Sequence, residues 1–294
     1  MKFNLKKLGL RQKFLINTIK ELIITRRINF ATSKNSKTKL EIIKKLQINF
    51  FASSINENYR NLYEKFITLQ EQIANILNVE VKGECFDLEK DGIIVIANHL
   101  GINKLTKIKP TEIKDEYSEI TGNECNIAIN SLINNDPFVF LFWPVAAAII
   151  QTYPREKFKL IFICTIFAEP FSRILKEINA VQIENGNYKR MYENLVEKII
   201  STKKDNKIPI VIMYPEGGTS GKKSMKSPFY LEEFMSGFVR LSNDLTLPII
   251  PIVSRFDKKF NFYVTFSNMR NYKFDDIKKI RKTMQEMLLE KYER

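Results

Sequence analysis

The sequence predicts an α/β fold: a mixed, mostly parallel sheet flanked by helices, with an N-terminal helical arm. Three observations carry that reading. From Val79 onward, short apolar runs rich in β-branched residues alternate with longer segments of helical periodicity, the pattern of a sheet with helices laid on its faces. One such run, Ile93-Ile94-Val95-Ile96-Ala97, is apolar at every position, as a buried strand requires. Before Val79 the texture differs, with apolar and basic residues interleaved at helical spacing.

Taken in order, residues 1–31 form an amphipathic helix pattern, with Leu15, Ile16, Ile19, Ile23 and Ile24 on its apolar side and Lys13, Lys20, Arg26 and Arg27 among its basic residues. Ser33 to Thr38 is a polar break, and helical spacing resumes from Leu40 to about Leu77. Strands are expected at Val79–Val81, Ile93–Ala97, Leu160–Cys164, Val181–Ile183, Pro209–Met213, Ile249–Val253 and near Phe262–Phe266. Helices are expected at Pro137–Thr152, Phe171–Ile178, Tyr188–Ser201, Glu232–Leu241 and Asp275–Tyr292. Residues 102–132, with Lys104, Lys107, Lys109, Glu112, Lys114, Asp115 and Glu116, read as a polar insertion over the surface. The chain divides on this reading into an arm, 1–78, and a main domain, 79–294.

With 294 residues, 44% apolar and 27% charged, the chain is ordinary globular material with length for a substantial core, which excludes a disordered protein. Of the net charge of +14, a net +11 belongs to residues 1–45, which hold thirteen Lys/Arg and two Glu. The basicity is therefore that of the arm. Its lysines and arginines are interleaved with apolar residues, which fits an anionic membrane surface better than nucleic acid, although a helical pair packed on the body would show the same pattern. Cys85, Cys125 and Cys164 are odd in number and lack metal-ligand spacing, so they read as free thiols in a reducing compartment, with no metal site expected. The N-terminus lacks the apolar core and cleavage site of a secretory signal, and a peripheral place on the cytoplasmic face of a membrane is expected. No apolar run reaches the ~18–20 residues of a spanning helix. Pro137 to Ile150 comes nearest, and its length and two prolines favour a buried helix over a shallow membrane dip.

His99 is the sole histidine, at the end of the apolar strand run as Asn98-His99. Imidazole is the side chain that most readily exchanges protons near neutral pH, so any such chemistry carried by a histidine happens here. A second marker, Tyr214-Pro215-Glu216-Gly217-Gly218-Thr219-Ser220, also follows an apolar run directly, Ile208 to Met213. Alone it reads equally well as a turn. Ser220 follows no Gly-x-Ser-x-Gly elbow, which argues against a serine hydrolase.

Asn98-His99, Pro215-Glu216-Gly217, Phe234-x-x-Gly237-x-x-x-Leu241 and Leu247-Pro248-Ile249-Ile250-Pro251-Ile252 stand in one order over about residues 80–255. In that order they resemble the blocks of the glycerolipid acyltransferases of the lysophosphatidic acid acyltransferase type. The family's first block is Asn-His-x-x-x-x-Asp; here Lys104 holds the acidic position, and Asn134-Asn135-Asp136-Pro137 resembles the displaced back half of the block. Asp136 lies 37 residues after His99, an excess of 32 that matches the 102–132 insertion. Asp136 also suits the role of cap for a helix starting at Pro137, and the two roles are compatible. Where the family's second block supplies an arginine for the acceptor's phosphate, this chain has Asn185, with Lys189 and Arg190 beyond it. The third block lacks its arginine and is followed by Lys222, Lys223 and Lys226.

The resemblance implies transfer of a fatty acyl group from an acyl thioester, acyl-CoA or acyl-carrier protein, to a hydroxyl of a lysophospholipid or related glycerolipid. It implies His99 as general base with Asp136 as its partner, and Glu216, Gly217, Gly218, Thr219, Ser220, Lys222 and Lys223 at the substrates. The partners expected are an anionic membrane surface, a lysolipid acceptor and the thioester donor, with no further cofactor and no nucleic acid. Two alternatives stay open: a catalytically inactive lipid-binding member of the same fold, suggested by Lys104 and Asn185, and a basic nucleic-acid-binding protein.

Overall fold

The computed structural model describes residues 42–43, 46–47, 49–50, 54, 60–83, 85–88, 91–99, 144–165, 171–183, 188–218, 220, 230–256, 262–268 and 272–289. In chain order the elements are α1 (Leu62–Leu77), β1 (Glu80–Lys82), β2 (Ile93–Ala97), α2 (Pro144–Thr152), β3 (Phe158–Thr165), α3 (Phe171–Glu177) and β4 (Ala180–Ile183). They continue as α4 (Tyr188–Lys204), β5 (Ile208–Met213), α5 (Gly237–Leu245), β6 (Ile249–Phe256), β7 (Phe262–Phe266), a 3-10 turn over Phe274–Asp276 and α6 (Ile277–Leu289). The seven strands form one sheet in the order β1-β7-β6-β2-β5-β3-β4. Only the β6–β7 pairing is antiparallel, so the fold is α/β with the mixed, mostly parallel sheet that the sequence predicts.

β2 sits at the centre of the sheet because every one of its side chains is apolar and none is exposed. Ile93, Val95 and Ala97 point into one core, shared with Phe66 and Ile73 of α1, Val145 and Ile149 of α2, and Ile174 of α3. Ile94 and Ile96 point into the other, shared with Leu195 and Ile199 of α4, Phe238 and Leu241 of α5, and Ile280, Met284 and Leu288 of α6. The two-residue period of the strand thus feeds both faces, giving three layers, helix on sheet on helix. Fully burying each isoleucine or valine stabilises the fold by about 1.5–3 kcal/mol relative to exposure. α2 is a core helix: Pro144 through Ile150 are all buried, and the helix packs against α1. The earlier part of its predicted span, 137–143, lies outside the described residues. Among the described residues no helix is long and apolar enough to cross a membrane.

Several boundaries differ from the sequence reading. The helix expected at Glu232–Leu241 begins only at Gly237 and runs to Leu245, because the main chain of 231–235 bonds to other parts of the protein. The last helix starts at Ile277 after its 3-10 turn, and β3 and β6 are each eight residues long, extending past the apolar runs that announced them. Cys85 and Cys164 are free thiols; Cys125 lies outside the described residues.

Gly92 leads into β2 with φ +105°, and a Cβ there would lie 2.6 Å from Cγ and 2.7 Å from the carbonyl oxygen of Pro209 at the start of β5. Only glycine permits both that backbone and that approach. Gly92→Ala is expected to destabilise the protein by about 2 kcal/mol or more, read as a lower urea midpoint at unchanged m-value. A midpoint equal to the parent's would mean that the β2–β5 start relaxes freely.

Candidate active site

From β2 the chain passes to β3 on one side of the sheet, and the later connection from β5 to β6 carries it across β2 to the other side. The carboxyl end of β2, where connections part to left and right, is the crevice position at which open α/β sheets bind ligands. His99 emerges there, two residues after the last residue of the strand.

Asn98 sets the exit. It is 1% exposed, and its side chain continues the ladder toward β6: Oδ1 accepts the Ser254 N–H at 2.7 Å while Nδ2 donates to the Ser254 carbonyl at 2.9 Å. An amide alone offers a donor and an acceptor side by side in this way; an ionised aspartate has no donor for the carbonyl. The main chain of β2 is thereby released from β6 while the amide keeps it anchored, and His99 follows.

On the other side the loop after β5 holds the His99 peptide at both polar groups. Its carbonyl accepts the Ser220 N–H at 3.0 Å, and its own N–H donates to Glu216 Oε1 at 3.3 Å. The same Oε1 accepts the Ser220 hydroxyl at 2.6 Å, and Oε2 accepts the Glu232 N–H at 2.7 Å. Three donors from three stretches of chain therefore converge on one carboxylate that has no exposed surface. Burial pushes Glu216 up to about 7, against the pull of the Ser220, Glu232 and His99 donors. The His99 ring is partly buried, its centroid 4.5 Å from that of Tyr214 at an interplanar angle of 47°. Burial raises the Tyr214 phenol above its ordinary value, so it meets the imidazole as a neutral ring.

Gly217 turns the loop with φ +62° beneath Met235, whose sulfur would be 2.8 Å from a Cβ at that position. At Gly218 a Cβ would meet nothing within 4 Å among the described residues. Gly218 belongs to the loop that holds the His99 peptide, and main chain without a side chain lets a ligand approach closely.

Of the residues singled out in the sequence, the structure brings together His99, Glu216, Gly217, Gly218 and Ser220. The Glu216 carboxylate accepts the His99 N–H and the Ser220 hydroxyl, and the Ser220 main-chain N–H holds the His99 carbonyl, leaving the two glycines as the more exposed residues of the loop. Asp136, Thr219, Lys222, Lys223, Lys104 and Asn185 lie outside the described residues. Lys189 and Arg190 are exposed in the first turn of α4. The pairing of Asn98 with Ser254 went unread in the sequence; its one trace is a polar amide set directly after five buried apolar residues.

The raised value of Glu216 fixes a pH dependence. The folded protein keeps a proton that an ordinary glutamate, at 4.5, releases, so stability falls as pH rises from 4.5 to about 7. The effect amounts to at most about 3 kcal/mol. Glu216→Gln, less stable overall because its amide N–H faces the Glu232 N–H, is expected to lack this component. Thermal midpoints at intervals between pH 5 and 8 check it; the same slope in parent and variant would refute the raised value.

No family model matches the sequence, and no curated protein matches it. Among solved structures, this one is similar to the 1-acyl-sn-glycerophosphate (LPA) acyltransferase PlsC of Thermotoga maritima, with a TM-score of 0.41 and 14% sequence identity, over 92% of this chain and 95% of that chain.

Proposed function

We propose that the protein is an O-acyltransferase that moves a fatty acyl group from an acyl thioester, acyl-CoA or acyl-carrier protein, to a hydroxyl of a lysophospholipid or related glycerolipid. The observation that carries this reading is the setting of the sole histidine. Its ring is partly buried at the carboxyl end of the central strand, its peptide is held at N–H and C=O, and the open main chain of Gly218 belongs to the loop that holds it. A base whose peptide is fixed in this way and whose residue is only partly buried suits proton removal from a positioned hydroxyl.

An acyl thioester is already activated, so no covalent enzyme intermediate is needed. His99 takes the proton of the acceptor hydroxyl as its oxygen attacks the thioester carbonyl. The C–S bond then breaks, and the departing thiolate recovers the proton from the imidazolium. An ester and a free thiol result. Asp136 is assigned as the partner that orients the imidazole and stabilises its charged form. Gly217 and Gly218, with Thr219, Lys222 and Lys223, are assigned to the substrates, the lysines meeting phosphate as point charges. The basic arm, residues 1–45, is assigned to an anionic membrane surface, where each basic residue contributes about 1 kcal/mol at low salt.

Loss of a positioned general base costs ~10²–10⁴-fold in rate, so His99→Ala is expected to abolish nearly all acyl transfer to a panel of lysolipids in anionic liposomes, while Lys104→Ala leaves it largely intact. More than half the activity remaining in His99→Ala would sink the assignment. Product absent with every acceptor and both donor types would move the reading to an inactive lipid-binding protein of the same fold. Deleting residues 1–45 is expected to remove salt-sensitive binding to anionic vesicles; equal binding by the shortened chain would refute the role of the arm.

A further inference from the structure

Residues 231–235 run between the site loop and α5 without regular structure, so their main-chain groups need partners elsewhere. Those partners come largely from one helix. Leu231 donates its N–H to Gln285 Oε1 at 2.9 Å, and its carbonyl accepts Arg281 Nη2 at 2.5 Å and Nε at 3.0 Å. The Glu232 carbonyl also accepts Arg281 Nε, at 2.9 Å, and the guanidinium lies over the Tyr230 ring, 5.6 Å from its centroid. Arg281 and Gln285 stand four residues apart, on one side of α6. The next stripe of that helix, Ile280, Met284 and Leu288, is buried in the core, and the Leu288 carbonyl accepts Arg255 Nη1 of β6 at 3.3 Å. The helix is thus a fixed support.

What it supports is the far side of the buried carboxylate. The residue whose carbonyl Arg281 holds, Glu232, presents its N–H to Glu216 Oε2 at 2.7 Å, and Glu216 Oε1 holds the His99 N–H. We infer that Arg281 is a positioning residue for His99, acting through the 231–232 main chain and the Glu216 carboxylate. Arginine suits the task because its planar fork reaches two adjacent carbonyls at once, which a lysine ammonium on a flexible stem does not reproduce. If Arg281 is removed, the Glu232 peptide is free to rotate away, Glu216 loses a donor and the His99 peptide shifts with it.

The kinetic consequence rests on the acyl-transfer reading; the structural one does not. Because His99 is the sole histidine, a ¹³C–¹H spectrum gives one imidazole Cε1–H signal, which needs no assignment to a residue. In Arg281→Met that signal and its titration midpoint are expected to move. In Arg281→Lys they move the same way by less, and in Lys278→Ala, on the exposed face of α6, they stay in place. Where the wild type transfers acyl groups, Arg281→Met lowers kcat about tenfold with KM within about twofold, since a small displacement of a reacting group acts on rate more than on binding. A His99 signal unmoved in a folded Arg281→Met protein, or in Arg281→Lys should the former not fold, overturns the inference and leaves Arg281 a structural tie. A moved signal in a protein with no acyl transfer upholds the positioning and defeats the acyl-transfer reading instead.

Discussion

A carboxylate without exposed surface must be met by hydrogen-bond donors, and that requirement at Glu216 organises this end of the molecule. Its two oxygens collect the main chain of His99, the hydroxyl of Ser220 and the main chain of Glu232, which belong to the exit of β2, the loop after β5 and the approach to α5. Leaving one buried partner unsatisfied costs about 1–3 kcal/mol, so each donor constrains the position of the other two. Asn98 does the same on the β6 side with a neutral amide, joining residues 156 apart in the chain. Between them the two side chains fix the peptide that carries the imidazole, while the ring itself lies partly open.

The two cores explain why this arrangement sits on a rigid base. β2 has a parallel neighbour on each side and a helical layer on each face, so its end cannot shift without disturbing packed isoleucines in both cores. The polar groups that hold the site thus rest on apolar burial beneath them. Charge is laid out separately. The excess of lysine and arginine is concentrated in the first 45 residues of the sequence, before the first of the strands that build the site.

The fold was legible where apolar runs were unbroken. Ile93–Ala97 and Phe262–Phe266 stand in the structure with the bounds the sequence suggested, because every residue in them is apolar or β-branched and their ends are marked by polar ones. The start of α5 was not legible. Tyr230 to Ser236 offers spaced apolar residues, yet its main chain is taken by Arg281, Gln285 and Glu216 from distant parts of the sequence, a competition that local periodicity cannot register. At the site, a lone histidine after a buried strand and a Pro-Glu-Gly-Gly turn after another were visible as separate markers. That the glutamate of one would bind the peptide of the other follows only from β2 and β5 lying side by side. The partner of Asn98 was hidden for a plainer reason: a backbone group leaves no signature in the sequence.

The order of the strands also bears on how the chain reaches this state. β2 is made early, yet both its neighbours come late: Ile93 pairs with Ile210 and Ile94 with Ile249. A strand apolar on both faces thus spends the synthesis of more than a hundred following residues without a sheet to join. Pairings so far apart in sequence close slowly, and an unpaired apolar strand invites association with other chains meanwhile. The residues that make β2 the firm centre of the finished sheet are the same ones that leave the nascent chain dependent on prompt shielding, by its own early helices or by a chaperone, until β5 and β6 emerge.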